Sequence, residues 1–235
     1  MKKLVLSIVG LLVAGSVYAQ KVELSVNAST NLYHYSGNGT TATSPIITSP
    51  DASQNYTNNP YGNKNAWGFG LAGQAQYVTK AGFIAGLQAG FERVQSSVDI
   101  TTFYSPMQNY GALPTVDGST KLKSNYINLN PYIGYRIIAD KFNIDLQPGV
   151  DVGFKTSMRE KGSTGEGNVA TTDRSREDKN TDFRLRMGIA AYYNRIGITA
   201  AYAHGLTNVK EDLIGSQANE AYSRLWRFGI SYRLL

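Results

Sequence analysis

Apolar and polar residues alternate with a period of two along most of the chain, most strictly over residues 126–154. Ile127, Leu129, Pro131, Ile133, Tyr135 and Ile137 fall on one face; Tyr126, Asn128, Asn130, Tyr132, Gly134 and Arg136 fall on the other. After Ala139, Asp140 and Lys141 the pattern resumes. Phe142, Ile144, Leu146, Pro148, Val150, Val152 and Phe154 then oppose Asn143, Asp145, Gln147, Gly149, Asp151 and Gly153. A strand sends successive side chains to opposite faces, whereas a period of 3.6 would scatter these residues around a helix. Two such runs joined by a tight turn predict an antiparallel hairpin.

The same pattern predicts six further strands, near 22–35, 66–78, 83–92, 183–193, 196–203 and 222–234. In the first, Val22, Leu24, Val26, Ala28 and Leu32 oppose Glu23, Ser25, Asn27, Asn31 and Tyr33. Short turns are expected at 79–82, 139–141 and 194–195. Stretches rich in Gly, Ser, Thr and Asn at 36–65, 97–121, 156–180 and 210–221 read as long loops. Connections therefore alternate long and short. In an antiparallel meander this gathers the long loops at one end and the tight turns at the other, as in outer-membrane barrels. The expected fold class is all-β: a closed up-and-down antiparallel transmembrane β-barrel of eight strands.

Alternation alone does not say whether the apolar face meets lipid or a dry core, because a soluble lipocalin-like barrel has the same period. Two features favour lipid. The polar face is rich in glycine (Gly68, Gly70, Gly86, Gly134, Gly149, Gly153, Gly188, Gly197, Gly229). Glycine costs stability on a solvated strand, but in a narrow lumen it makes room for Tyr126, Tyr132, Arg184 and Arg186. Aromatics on the apolar face sit near strand ends: Trp67 and Tyr77, Phe83 and Phe91, Phe142 and Phe154, Phe183 and Tyr193, and Tyr222, Trp226 and Tyr232. The ten residues from Trp67 to Tyr77, tilted about 40°, span roughly 25 Å along the barrel axis, the height of an apolar band between aromatic girdles. Pro131 and Pro148 each remove a ladder donor, so a bulge or a bridging side chain is expected beside each.

Composition narrows the setting. Lys2 and Lys3 precede an apolar run, and Val17, Tyr18 and Ala19 suit cleavage, so residues 1–19 are expected to be a signal peptide cut after Ala19. Residues 20–235 then form one barrel domain. Loss of the two lysines lowers the formal charge from +6 to +4. There is no Cys, hence no disulfide and no thiolate metal site. Lys and Arg form no stripe, so nucleic acid is not an expected partner.

The pattern resembles the outer-membrane β-barrel families described as porin-like, OmpX-like and PorT-like. The residues carrying the resemblance are the run 126–135, then Gln147, Pro148, Gly149 and Val150, then 204–209, then Phe228, Gly229, Ile230, Ser231, Tyr232 and Arg233. The resemblance implies an outer-membrane location and contact with lipid and lipopolysaccharide. It also implies insertion by the barrel-assembly machinery and admits a part in protein secretion. Such barrels usually end on an aromatic residue in register with the lipid face; here that register ends at Leu234 and Leu235 overhangs.

The inward face carries Glu23, Glu92, Asp145 and Asp151 with Arg136, Lys155, Arg184, Arg186, Arg227 and Arg233. Paired carboxylates suit acid–base catalysis. Yet an eight-stranded lumen is just wide enough for its own side chains, and buried charges must pair. An ion-pair plug is therefore expected, with no enzymatic activity, no cofactor and no metal. His34 and His204 lie on the outward face, and the same-face neighbour of His204 is Leu206, which supplies no nucleophile. Tyr56, Tyr61, Tyr104 and Tyr110 stand among small polar loop residues and suit an extracellular ligand. The expected role is structural or adhesive, with a narrow porin-like channel and a lipid-modifying enzyme as alternatives.

Overall fold

The computed structural model describes residues 21–105, 114–165, 169–177, 180–210 and 219–235. The expected leader, Tyr110 and most of the 210–221 loop lie outside them. The strands are β1 (Lys21–Ser36), β2 (Ile46–Ile47), β3 (Tyr56–Thr57), β4 (Lys64–Val78), β5 (Phe83–Ile100) and β6 (Phe103–Tyr104), then β7 (Gly118–Ala139), β8 (Phe142–Ser163), β9 (Thr171–Ser175), β10 (Thr181–Tyr193), β11 (Ile196–Gly205) and β12 (Tyr222–Arg233). Eight of them, β1, β4, β5, β7, β8, β10, β11 and β12, pair in that order, all antiparallel. β12 pairs back onto β1, from Ser25↔Arg233 to Ser36↔Tyr222, and closes the ring. Closure leaves no sheet edge inside a membrane, where an unpaired backbone group costs several kcal/mol. The small strands β3, β2 and β6 form a separate sheet at the end where the long loops gather.

The tight turns use residues suited to the left-handed region. Asp140 and Asn194 both have φ 53° and Gly82 has φ 88°. The exterior is apolar throughout the band: Trp67, Met187 and Ile133 are 62, 60 and 71% exposed, beside Leu71, Leu129, Ile198 and Ile230. Monomeric soluble proteins rarely expose a contiguous apolar area of this size, so this face belongs in lipid.

The prolines are accommodated without an inserted residue. The β7–β8 register is the same on both sides of them, at Leu129↔Val152, Tyr132↔Gly149 and Tyr135↔Leu146. Beside Pro131 the Asn130 side chain supplies a donor, with Nδ2 2.9 Å from the Val150 carbonyl oxygen. Bulges occur instead between Ala66 and Phe69 on β4 and opposite Asn125 and Tyr126 on β8.

Two expected loops are shorter than the sequence suggested. Within 97–121 the chain stays extended to Ile100 and again from Gly118; within 156–180 it does so to Ser163 and from Thr171 to Ser175. The faces exchange polarity above the band. Past Phe91, Val94, Val98 and Ile100 turn inward and Arg93, Gln95, Ser97 and Asp99 turn outward. On β8 the bulge at Thr156 also shifts the phase, so that Met158 and Glu160 face in. A reading anchored to one apolar face stops at such points.

Candidate functional site: the charged lumen and its cap

Side chains pointing into the lumen stack in tiers. The first tier, at the tight-turn end, is built by Arg136 near the end of β7. Its guanidinium donates to both Glu23 oxygens (2.8 and 2.7 Å) and to both Asp145 oxygens (2.6 and 2.7 Å). Arg233 lies 3.1 Å from Asp145 Oδ2 and 3.3 Å from Glu23 Oε2, with its guanidinium carbon 3.5 Å from the centroid of the Tyr192 ring. Gln76 donates to Glu23 Oε2 at 2.8 Å and accepts from the Tyr132 hydroxyl at 2.8 Å. Two carboxylates meet two guanidiniums, so the buried charges of the tier balance, and the exposed Lys21 ammonium reaches Glu23 Oε1 from the rim at 3.3 Å. Charge-assisted, bidentate bonds of this kind are the stronger protein hydrogen bonds.

The second tier lies farther up the lumen. Glu92 accepts from Arg227 Nε at 2.6 Å and Nη2 at 2.8 Å, and from the Asn128 amide at 2.6 Å. Arg227 Nη2 also reaches Asp151 Oδ2 at 2.5 Å. Arg184, fully buried, pairs with Asp182 at 2.8 Å and lies 3.5 Å from Glu92. Arg186 is 3.7 Å from Asp151 and donates to Asn130 Oδ1 at 2.9 Å. Three acids (Glu92, Asp151, Asp182) oppose three arginines. A cavity of about 50 Å³, lined by Asn27, Gln88, Glu92, Asn130, Asp151 and Arg186 among others, lies at this level. Lys155 stands above the tier, with Nζ 5.7 Å from the Tyr126 ring centroid.

Of the interior residues singled out from sequence, nine join these two tiers, and Lys155 lies over the Tyr126 ring just above them. Asp182 lies one step before Phe183, where the apolar alternation starts, and it shares the inward phase of Arg184 and Arg186. Glycine makes the tiers possible at specific points. A Cβ on Gly86 would stand 2.2 Å from Tyr132 Cζ, and one on Gly197 would stand 2.5 Å from Tyr192 Cδ1.

Above the tiers the lumen is filled by a buried cluster that includes Tyr33, Tyr35, Tyr61, Val94, Leu122, Tyr126 and Leu225. The 36–65 segment then folds over the mouth. Ile46 packs with Val98, Ile100, Phe103 and Ala170. Glu160, fully buried, accepts from the Thr57 amide (2.9 Å), the Thr172 hydroxyl (2.6 Å) and Arg176 Nε (2.7 Å). Arg176 also donates to the Thr57 carbonyl at 2.6 Å. Lys210 donates to the Gly39 carbonyl at 2.9 Å and lies 5.1 Å from the Tyr61 ring. Burial lowers the Lys210 amine below its usual range and pushes the Tyr61 phenol up to about 12. Glu160 and Arg176 both fall in the 156–180 stretch whose composition reads as loop; Glu160 follows the β8 bulge that shifts the phase, and Arg176 follows the end of β9.

The outward aromatics form two sets. Tyr77, Phe83, Phe142, Tyr193 and Tyr232 lie toward the tight-turn end, with Phe83 edge-on to Tyr135 at 5.5 Å and Phe142 against Tyr193 at 5.4 Å. Trp67, Phe91, Phe154, Phe183 and Trp226 lie toward the loop end, with Trp226 4.7 Å from Tyr202. Tyr222 is half-buried, on the same outward face of β12 as the half-buried Arg224 and the exposed Trp226. His34 bonds Asn65 through Nδ1 at 2.8 Å, and His204 is exposed.

Similarity to known proteins follows the same lines. The chain aligns over 91% of its length with 99% of Ail, the attachment invasion locus protein of Yersinia pestis, solved with the heparin analogue sucrose octasulfate (16% identity, TM-score 0.39). It aligns with Neisserial surface protein A over 91% of this chain and 97% of that one (13% identity, TM-score 0.40). The translocator domain of the autotransporter NalP from Neisseria meningitidis aligns over 95% of this chain and 93% of that one (11% identity, TM-score 0.30). No curated protein matches the chain. The family model described as outer membrane protein beta-barrel domain matches residues 18–211, and the chain, with its apolar exterior and closed ring of eight strands, belongs to that family.

Proposed function

We propose that this outer-membrane barrel is a charge-plugged scaffold that presents a folded extracellular cap for surface interaction, neither a diffusion pore nor an enzyme. The observation that carries the reading is the pair of balanced tiers crossing the lumen, Arg136–Glu23–Asp145–Arg233 below and Glu92–Arg227–Asp151–Arg184 above. A solute would have to break several buried, bidentate ion pairs to pass, and removing one partner of a buried pair costs about 3–5 kcal/mol. The same pairing argues against catalysis, because each carboxylate of the two tiers already accepts from a guanidinium and none is left to act as a base. The capped mouth supports binding by the exterior of the cap, where Tyr56 and Tyr104 sit on the small sheet. The outward aromatic sets support anchoring at the two membrane interfaces. Export by a leader cleaved after Ala19 and insertion by the assembly machinery complete the proposal.

Planar-bilayer recording of the refolded chain provides the test. The expected result is no steady conductance. A large, stable open state would overturn the plug and favour a transport role.

A further inference from the structure

The strand extensions above the apolar band carry a block of like charge that the fold does not explain. On the outward face of β7 and β8, Lys123 is directly opposite Arg159 and Lys121 is directly opposite Lys161. Their neighbours in the same two rows are Gln95 and Ser97 on β5 and Ser175 and Asp173 on β9. Beyond Ser97 the upper row continues to Lys64 on β4, which is paired with Asp99. Asp173 is thus the one acid among five cations in these rows; it bonds Arg159 Nε at 2.5 Å and lies 4.0 Å from Lys161. The Arg159 and Lys161 side chains remain 62 and 68% exposed. Like charges directly opposite on a sheet destabilise it, so this arrangement costs the folded protein unless an anion lies against it.

Height and direction point to the occupant. The last apolar row on this side is Phe91, Ile127 and Phe154. A polar row follows, with Arg93 Nε donating to Asn125 Oδ1 at 2.8 Å and Asn125 Nδ2 donating to Ser157 Oγ at 2.7 Å. The two cation rows come next. Each row adds two residues of a strand tilted about 40°, or roughly 5 Å of height, so the cations start about 10 and 15 Å above the apolar edge. Their long side chains point sideways, away from the barrel axis, and can bend down along the wall to the headgroup level. They leave the wall on the same outward side as Phe91, Ile127 and Phe154 below them.

We propose that Lys121, Lys123, Arg159 and Lys161 form a docking face for phosphate-bearing glycolipid headgroups of the outer leaflet. The proposal rests on the lipid-facing orientation of the barrel but not on the plug. Each cation near an anionic membrane surface strengthens binding about fivefold, so neutralising three is expected to weaken it by about a hundredfold.

The test uses the full chain and a Lys121→Gln/Lys123→Gln/Lys161→Gln variant, which keeps Arg159 with Asp173. Retention of phosphorylated lipid A by each immobilised barrel in mixed micelles is compared with retention of dephosphorylated lipid A. Wild type is expected to prefer the phosphorylated form and the variant to lose that preference. Equal retention of the two forms by wild type, or an unchanged preference in the variant, overturns the proposal. So does competition by millimolar inorganic phosphate, which would identify a soluble-anion site. In phosphatidylcholine alone the variant is expected to be at least as stable as wild type, because like-charge contacts have gone; a less stable variant would assign these residues to the fold. Failure to insert into vesicles at all would instead contradict the membrane orientation.

Discussion

The upper ion-pair tier makes a quantitative prediction. Glu92 receives two hydrogen bonds from Arg227 and one from Asn128, with Arg184 3.5 Å away, and all of these charged groups are buried. Glu92→Gln keeps the shape but leaves two acids facing three arginines; Arg227→Gln leaves three acids facing two. Either change strands a buried charge and is expected to cost about 3–5 kcal/mol. Both together leave two acids and two arginines, so the double variant is expected to lose less than about 2 kcal/mol. The coupling energy then comes to several kcal/mol, toward or beyond the upper end for groups that share one network. Reversible urea unfolding in lipid vesicles, followed by tryptophan fluorescence, measures all four corners of the cycle. With a slope of about 2–3 kcal/mol per molar urea, each single variant should shift the midpoint by about 1–2.5 M. If the single effects were below about 1 kcal/mol, or simply added in the double variant, the tier would be solvated and the plug argument would fail.

Two further outcomes follow from local packing. Gly86→Ala would place a methyl 2.2 Å from Tyr132 Cζ and push the hydroxyl off Gln76, so a loss of about 1–3 kcal/mol is expected in the same unfolding assay. Glu160→Gln would weaken the acceptor shared by Thr57, Thr172 and Arg176. Limited proteolysis of intact cells should then cut within residues 36–65 at least several-fold faster while the barrel itself stays resistant; unchanged cutting would mean that Glu160 does not hold the cap.

Much of the architecture was legible in the order of residues. Period-two alternation located all eight wall strands, and Ile127, Leu129 and Ile133 against Asn128, Asn130 and Gly134 separated the lipid side from the lumen. The spacing of Trp67 from Tyr77 gave the thickness of the band, and Asp140, Asn194 and Gly82 marked the turns. These features depend on a few neighbouring residues, because a strand's faces follow from local geometry alone. Legibility ended where the environment changed along one strand. Between Phe91 and Arg93 the outer face passes from the apolar band to polar surroundings and the pattern inverts, so the extensions that hold Lys121 and Lys161 carry no apolar outer face to mark them as strand.

Tertiary structure alone decided who meets whom across the lumen. Glu23 and Arg136 are 113 residues apart, and Glu92 and Arg227 are 135 apart. Alternation says that these side chains share an interior, but not at what height each one sits. Height is fixed by the register of eight pairings and by ring closure through β1 and β12, which are non-local sums over the whole chain. The same holds for the opposition of Lys121 to Lys161 and for the seat of Glu160 under the cap. The sequence by itself determined a membrane-facing barrel with a charged interior. Only the closed sheet, whose register a one-residue bulge shifts, determined which charges cancel and which are left exposed on the outer wall.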